Sequence, residues 1–136
     1  MIALDQTVKL LVDTVLPPEG ARVARLFDFQ RVYNPGINFG AFRDYPTAVL
    51  IGTIVVGVAF LAYVWRRPPR SVLAIVGLGI LLGGGLGNLI DRVRLGAVFD
   101  YLNITPFIGY LNLADLAIGA GVIALVVETI WRDRRA

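Results

Sequence analysis

The sequence predicts an all-α membrane protein: a four-transmembrane-helix bundle with a small extracytoplasmic β-like, interfacial loop region. Two uncharged runs carry that expectation. Residues 47–65 (TAVLIGTIVVGVAFLAYVW) and 71–90 (SVLAIVGLGILLGGGLGNLI) hold no charged side chain. Each is long enough, as a helix, to span a hydrocarbon core of roughly 30 Å. Composition agrees, since 57% of the 136 residues are hydrophobic and the mean hydropathy is +0.71. A soluble domain is closer to half apolar. The length fits a single domain over residues 1–136.

The chain opens with MIALDQTVKLLVDTVL, a helix over about 1–16 that stops before Pro17-Pro18. Only four residues precede Asp5, too few for a complete span. The first helix is therefore expected to be truncated at its start, as the outer half of a spanning helix, or else to be a short interfacial helix. It lacks the basic leader and small-residue cleavage site of a secretory signal peptide. The outer loop 17–45 follows. Within it, residues 26–42 alternate apolar side chains, aromatics and glycines, which suggests short strands or an interfacial loop. Phe27, Phe29, Tyr33, Phe39, Phe42 and Tyr45 suit the headgroup level.

The second helix is expected at about 46–65, the third at 71–91 and the fourth at 111–131. The turn RRPPR (66–70) joins the second and third, and the loop 92–110 joins the third and fourth. The fourth run, 116–127, reaches membrane length over 108–131 if Asp115 and Glu128 are tolerated. Gly79, Gly83 and Gly87 recur every four residues, a spacing that lets helices pack closely through small residues. Arginine density sets the orientation. RRPPR and the tail 132–136 hold three arginines each, so both belong in the cytoplasm. The loops 17–45 and 92–110 then face outward.

The absences narrow the chemistry. There is no cysteine, hence no disulfide or thiol chemistry, and no histidine, hence no imidazole base. Ser71 is the single serine and Lys9 the single lysine. Acid–base work in such a chain falls to carboxylates. The net charge of +3 comes without the basic, aromatic-interleaved patch that nucleic acid requires. No metal or other cofactor is implied.

Three aspartates stand at the edges of apolar segments, where a carboxylate is costly to keep. Asp115 reads as a helix cap or first-turn acid, or as one member of a catalytic pair. Asp91 precedes Arg92 and reads as a local ion pair seating a helix end. Asp100, among apolar residues with no adjacent base, is the stronger catalytic candidate. Two carboxylates brought close together share one proton, the state in which one activates water and the other protonates a carbonyl. Asp5 and Lys9 are four apart on one helix face, a neutralised pair.

Five segments, in order, resemble the lipoprotein signal peptidase (signal peptidase II) family of bacterial membrane aspartic peptidases. DQTVK (5–9) is similar to its Asp-x-x-x-Lys and NPGINF (34–39) to its Asn-x-Gly-x-x-Phe. GGGLGNLIDR (83–92) is similar to its Gly-Gly-x-x-Gly-Asn-x-x-Asp-Arg, VFDY (98–101) to Val-x-Asp-Phe, and LNLAD (111–115) to Phe-Asn-x-Ala-Asp. Ile37 and Asn38 replace the family's small residues, and Leu111 stands where Phe is common.

The resemblance implies a catalytic dyad of Asp100 and Asp115. Asn34, Gly36, Asn88, Arg92 and Asn112 shape the site or hold substrate, with Asp5, Lys9 and Asp91 in support. It implies diacylglyceryl-prolipoprotein substrates cut before the lipidated cysteine, contact with membrane lipids, and inhibition by globomycin-like compounds. The implied place is the bacterial inner membrane, multi-pass, with the site toward the extracytoplasmic face. Two other readings share these residues: a non-catalytic lipopeptide-binding homologue, and a small proton-coupled transporter.

Overall fold

The computed structural model describes residues 1–136 apart from 25–26, 38–40, 105–108 and 135–136. The described residues form four helices and four short strands, in the order α1 (Ile2–Val15), β1 (Ala21–Ala24), β2 (Phe27–Asn34), α2 (Pro46–Arg66), α3 (Val72–Leu95), β3 (Val98–Ile104), β4 (Gly109–Leu111) and α4 (Leu113–Asp133). Three helices, α2, α3 and α4, are long and apolar enough to cross a membrane. With 14 residues at 1.5 Å rise, α1 falls short of a bilayer core. The protein is a multi-pass membrane protein, mostly helical with a small antiparallel sheet.

Polarity is inverted relative to a soluble fold. In α1 the buried residues are Asp5 and Lys9, while Leu10 and Val15 are 66% and 72% exposed. In α2 only Val49 is buried. Lipid accepts such apolar surface at no cost, so the bundle turns its polar groups inward.

Local signals explain the boundaries. Pro46 opens α2, where its missing N–H is not needed, and Pro68-Pro69 follow its end. The Ser71 hydroxyl caps α3 by accepting from Ala74 N at 3.1 Å. At the other end of α3, Gly96 adopts φ 72°, the left-handed stop that favours glycine. This helix runs on to Leu95, past the expected end at 91, so Asp91 lies inside its last turns rather than at its terminus.

The tight helix pair is α3 against α4. A Cβ at Gly84 would lie 2.5 Å from Ala114 O, and one at Gly121 would lie 2.6 Å from Gly77 O. Close approach therefore runs through Gly77 and Gly84, seven apart, and not through the expected stripe of Gly79, Gly83 and Gly87. Gly79 meets nothing, and Gly87 makes room for Asp5 on α1.

The strands form one antiparallel meander, β1-β2-β3-β4. The expected loop 92–110 thus contains two strands, and the fourth helix starts at Leu113 rather than 111. The strand β3 is central: Val98, Phe99, Asp100 and Tyr101 are all buried, against α3 and α1. Its register pairs Val32 with Asp100 and Asn34 with Val98, with an irregularity between Phe29 and Val32. Tyr33 packs on Phe99 with ring centroids 5.3 Å apart, and Phe29 stacks on Tyr101 at 6.4 Å. Phe27, Tyr33, Phe42 and Tyr45 are exposed; Phe39 lies outside the described residues.

Candidate active site

Asp100 and Asp115 reach the same cavity from different elements. The volume is about 440 Å³, and Asn34, Asn88 and Arg92 share its lining with the two aspartates. Asp100 is fixed by β3, where it pairs across the sheet with Val32 of β2, while β4 joins β3 further along, at Leu102–Ile104. Asp115 is the third residue of α4, and there it closes a capping box with Asn112. Asn112 Oδ1 accepts from Asp115 N at 2.9 Å, and Asp115 Oδ2 accepts from Asn112 N at 3.1 Å. This reciprocal cap satisfies two backbone donors that a helix start leaves free. The capping role and the site role expected of Asp115 are therefore compatible: one oxygen caps and the other faces the site.

Amides fill the space between the carboxylates. Asn112 Nδ2 donates to Asp100 Oδ1 at 2.7 Å and to Asn88 Oδ1 at 3.1 Å. Asn88 Nδ2 donates to Asp115 Oδ1 at 2.7 Å. On the far side, Asn34 Nδ2 donates to Asp100 Oδ2 at 3.3 Å. Asn112 is fully buried and Asn88 nearly so, which makes each such bond costly to lose.

Burial, and then the charge of Asp115, push Asp100 up to about 6, against the pull of the Asn112 and Asn34 bonds and the Lys9 charge. The site can therefore hold a proton on a carboxyl near neutrality beside a second carboxylate. Burial also raises the Tyr101 phenol. Its oxygen accepts from Leu113 N at 3.2 Å, a further tie on the first turn of α4.

Asp91 and Arg92 do not pair locally as expected. Consecutive helix residues point about 100° apart, and the two diverge. Arg92 donates to Gly36 O at 3.0 Å. Gly36 N in turn donates to Asn34 Oδ1 at 3.1 Å, so Arg92 steadies the turn that carries Asn34. Among the described residues, Arg92 Nε is buried without a hydrogen-bond partner. Asp91 instead meets Lys9 Nζ at 2.7 Å and Gln6 Nε2 at 3.0 Å. Lys9 Nζ also lies 2.9 Å from Asp5 Oδ2.

Gln6 and Tyr101 are contributors that sequence reasoning missed. Gln6 lies beside the Asp5 singled out in DQTVK, and Tyr101 stands where the family motif has Phe. Asn38 and Phe39 of NPGINF lie outside the described residues.

Two further cavities adjoin the site. One of about 390 Å³ shares Asn34, Asp100 and Tyr110. The other, about 550 Å³ and almost wholly apolar, lies along α2 and shares Ile37 and Thr53 with the polar cavity. Among the described residues the larger space has no titratable lining, whereas Asp100, Asp115 and Arg92 all line the polar one.

Comparison with known proteins bears on the family and the fold. A family model described as signal peptidase (SPase) II matches residues 1–131. A lipoprotein signal peptidase of Mesorhizobium japonicum is 39% identical over 96% of this chain and 82% of its own. Another, from Moorella thermoacetica, is 38% identical over 92% of this chain and 84% of its own. A solved bacterial membrane enzyme superposes with a TM-score of 0.81 at 26% identity, covering 95% of this chain and 82% of that one.

Proposed function

The chain belongs to the signal peptidase II family, and from that premise we propose that it is a membrane aspartic endopeptidase acting on diacylglyceryl-modified prolipoproteins. It removes the signal peptide by cutting the bond before the lipidated cysteine. The observation that carries this reading is the Asn112 bridge, which holds Asp100 at 2.7 Å while capping the helix turn of Asp115 at 2.9 Å. Two carboxylates are thereby fixed at one cavity.

The mechanism follows from one proton shared by the pair. The ionised carboxylate takes a proton from water, whose oxygen attacks the scissile carbonyl carbon. The protonated partner gives its proton to the carbonyl oxygen, forming a tetrahedral diol. Collapse of the diol breaks the C–N bond; a dyad proton passes to the cysteine nitrogen, and the diol returns one to the dyad. Asn34, Asn88 and Asn112 hold the carboxylates in place. Arg92, through its tie to Gly36 O, steadies the 34–36 turn, and its Nε, without a partner among the described residues, offers a donor to the substrate backbone. Asp5, Lys9 and Asp91 act from behind.

Residues 1–136 act as a single integral membrane peptidase domain. The helix α1, shorter than a bilayer core, packs as the outer part of a fourth helix against α3 and α4 in the bacterial inner membrane. RRPPR lies in the cytoplasm, and the sheet and both aspartates lie toward the extracytoplasmic face. The apolar cavity beside α2 suits acyl chains, since it joins the polar cavity at Ile37 and Thr53. Globomycin-like compounds then compete for the same space.

The test uses the purified protein in detergent with a peptide carrying a diacylglyceryl-cysteine lipobox, products being read by mass spectrometry. The proposal expects one cut, immediately before the lipidated cysteine, suppressed by globomycin and dependent on the lipid. No cut, or cuts elsewhere in an unlipidated peptide, overturns it.

A further inference from the structure

Lys9 occupies a place that neutralising a buried acid does not require. Lys9 is 5% exposed, and its ammonium meets three acceptors: Asp91 Oδ2 at 2.7 Å, Asp5 Oδ2 at 2.9 Å and Asn88 Oδ1 at 3.1 Å. An ammonium has three hydrogens and can only donate, so this set exhausts it. We propose that Lys9 is a positioning residue that sets the donor direction of the Asn88–Asn112 amide relay, so that both aspartates receive an N–H.

The relay has one arrangement consistent with its ends. Lys9 can only donate, so Asn88 must turn its oxygen toward Lys9 and its Nδ2 toward Asp115 Oδ1, at 2.7 Å. Reversed, Asn88 would set its NH₂ against the ammonium and its oxygen against the carboxylate. At the other end Asp115 N also only donates, so Asn112 must turn its oxygen there, at 2.9 Å. Both Asn112 hydrogens then go to Asn88 Oδ1 at 3.1 Å and Asp100 Oδ1 at 2.7 Å. Two obligate donors, Lys9 Nζ and Asp115 N, and two acceptor carboxylates, Asp115 and Asp100, thus agree on one orientation of both amides, and Lys9 supplies the donor that faces Asn88 Oδ1 from outside the relay.

The acids that hold Lys9 grip the same two segments. Asp5 Oδ1 accepts from Ala114 N at 3.0 Å, and Asp91 Oδ2 accepts from Phe99 N at 3.2 Å. Each grip falls on the residue immediately before a site aspartate. Lys9 therefore joins the backbone supports of Asp115 and Asp100 while orienting the amides between them. This inference rests on the peptidase reading above.

The test separates orientation from charge balance. In Lys9→Met the ammonium is replaced by an apolar chain of similar length. In Lys9→Met/Asp91→Asn one excess negative charge is also removed, while an oxygen remains for Phe99 N. Cleavage of the diacylglyceryl-cysteine peptide is measured with melting temperature. Lys9→Met is expected to lose at least ~30-fold in kcat with KM within about 3-fold, as loss of an alignment rather than of binding. The double variant is expected to recover melting temperature yet keep kcat at least ~10-fold low.

A double variant that regains the parent kcat makes Lys9 a charge balance only and overturns the proposal, as does a Lys9→Met enzyme of normal kcat. If Lys9→Met cannot be purified folded, the double variant decides alone. The parent and Asp100→Asn run alongside. Cleavage by the parent but not by Asp100→Asn upholds the peptidase reading whatever the Lys9 variants do. An inactive parent removes that reading itself.

Discussion

Asn112 donates its side-chain N–H to Asp100 Oδ1 at 2.7 Å. The donor belongs to the residue that caps α4 and the acceptor to the central strand, so one bond ties the helix start to the sheet. Each side chain is at most 2% exposed, and the bond carries a charge when Asp100 is ionised. It belongs to the stronger class of hydrogen bonds.

The cap and the tie separate by substitution. Asn112→Ala loses both, and is expected to cost about 1–3 kcal/mol through the lost cap and the acceptors left unpaired. Asn112→Ser keeps a capping hydroxyl but cannot also reach Asp100. It is expected to recover about 1 kcal/mol of that loss while kcat stays on the order of 100-fold below the parent. Thermal melting and steady-state cleavage, measured on both variants, read the two effects apart.

The position of Asp100 makes stability depend on pH in a definite direction. Its folded value, about 6, lies above the ordinary aspartate value of about 3.9. Between those values the folded protein keeps a proton that the unfolded chain has released. Stability from this group is thus complete below about pH 4 and falls as pH rises to about 6. The loss is on the order of 2–3 kcal/mol at 1.36 kcal/mol per unit. Asp100→Asn has no such proton, so the difference in melting temperature between variant and parent should widen in the variant's favour from pH 4 to pH 7. A difference constant across that range contradicts the assignment.

Two glycines of α3, eight residues apart, respond oppositely. A Cβ at Gly87 meets Asp5 Oδ2 at 2.6 Å, whereas one at Gly79 meets nothing within 4 Å. Gly87→Ala must displace Asp5 and with it the support of Ala114 N. It is expected to cost about 1–3 kcal/mol through overpacking and to lower kcat. Gly79→Ala is expected to be neutral or slightly stabilising by helix propensity, by up to about 1 kcal/mol. Melting curves and cleavage rates of the two variants in the same detergent make the comparison.

The readable parts of this molecule are those whose cause is local. Charge-free runs announce α2 and α3, because lipid requires uninterrupted apolarity over a fixed length. Asp100 stands out because a carboxylate among Val98, Phe99 and Tyr101 has no local partner to explain it. The partners of Asp91 are not legible in the same way. Arg92 is its neighbour in sequence, but helix geometry turns the two apart, and Lys9 reaches Asp91 from another helix. The same holds for the glycines. Their spacing suggested one packing stripe, yet which glycine meets which helix depends on how α1, α3 and α4 are arranged, and no periodicity within α3 contains that. Strand β3 was hidden because both of its faces are buried, which removes the alternation that marks a half-exposed strand.

We propose that Asp100 and Asp115 act as one catalytic pair. The most direct measurement is kcat for the diacylglyceryl-cysteine peptide with Asp100→Asn, Asp115→Asn and the double variant, each with a melting temperature to show that it is folded. Each single change is expected to lower kcat by ~10⁴-fold or more and the double change to add little, as for residues that act as a unit. Folded single variants that cleave at the parent rate, or losses that multiply in the double variant, contradict it.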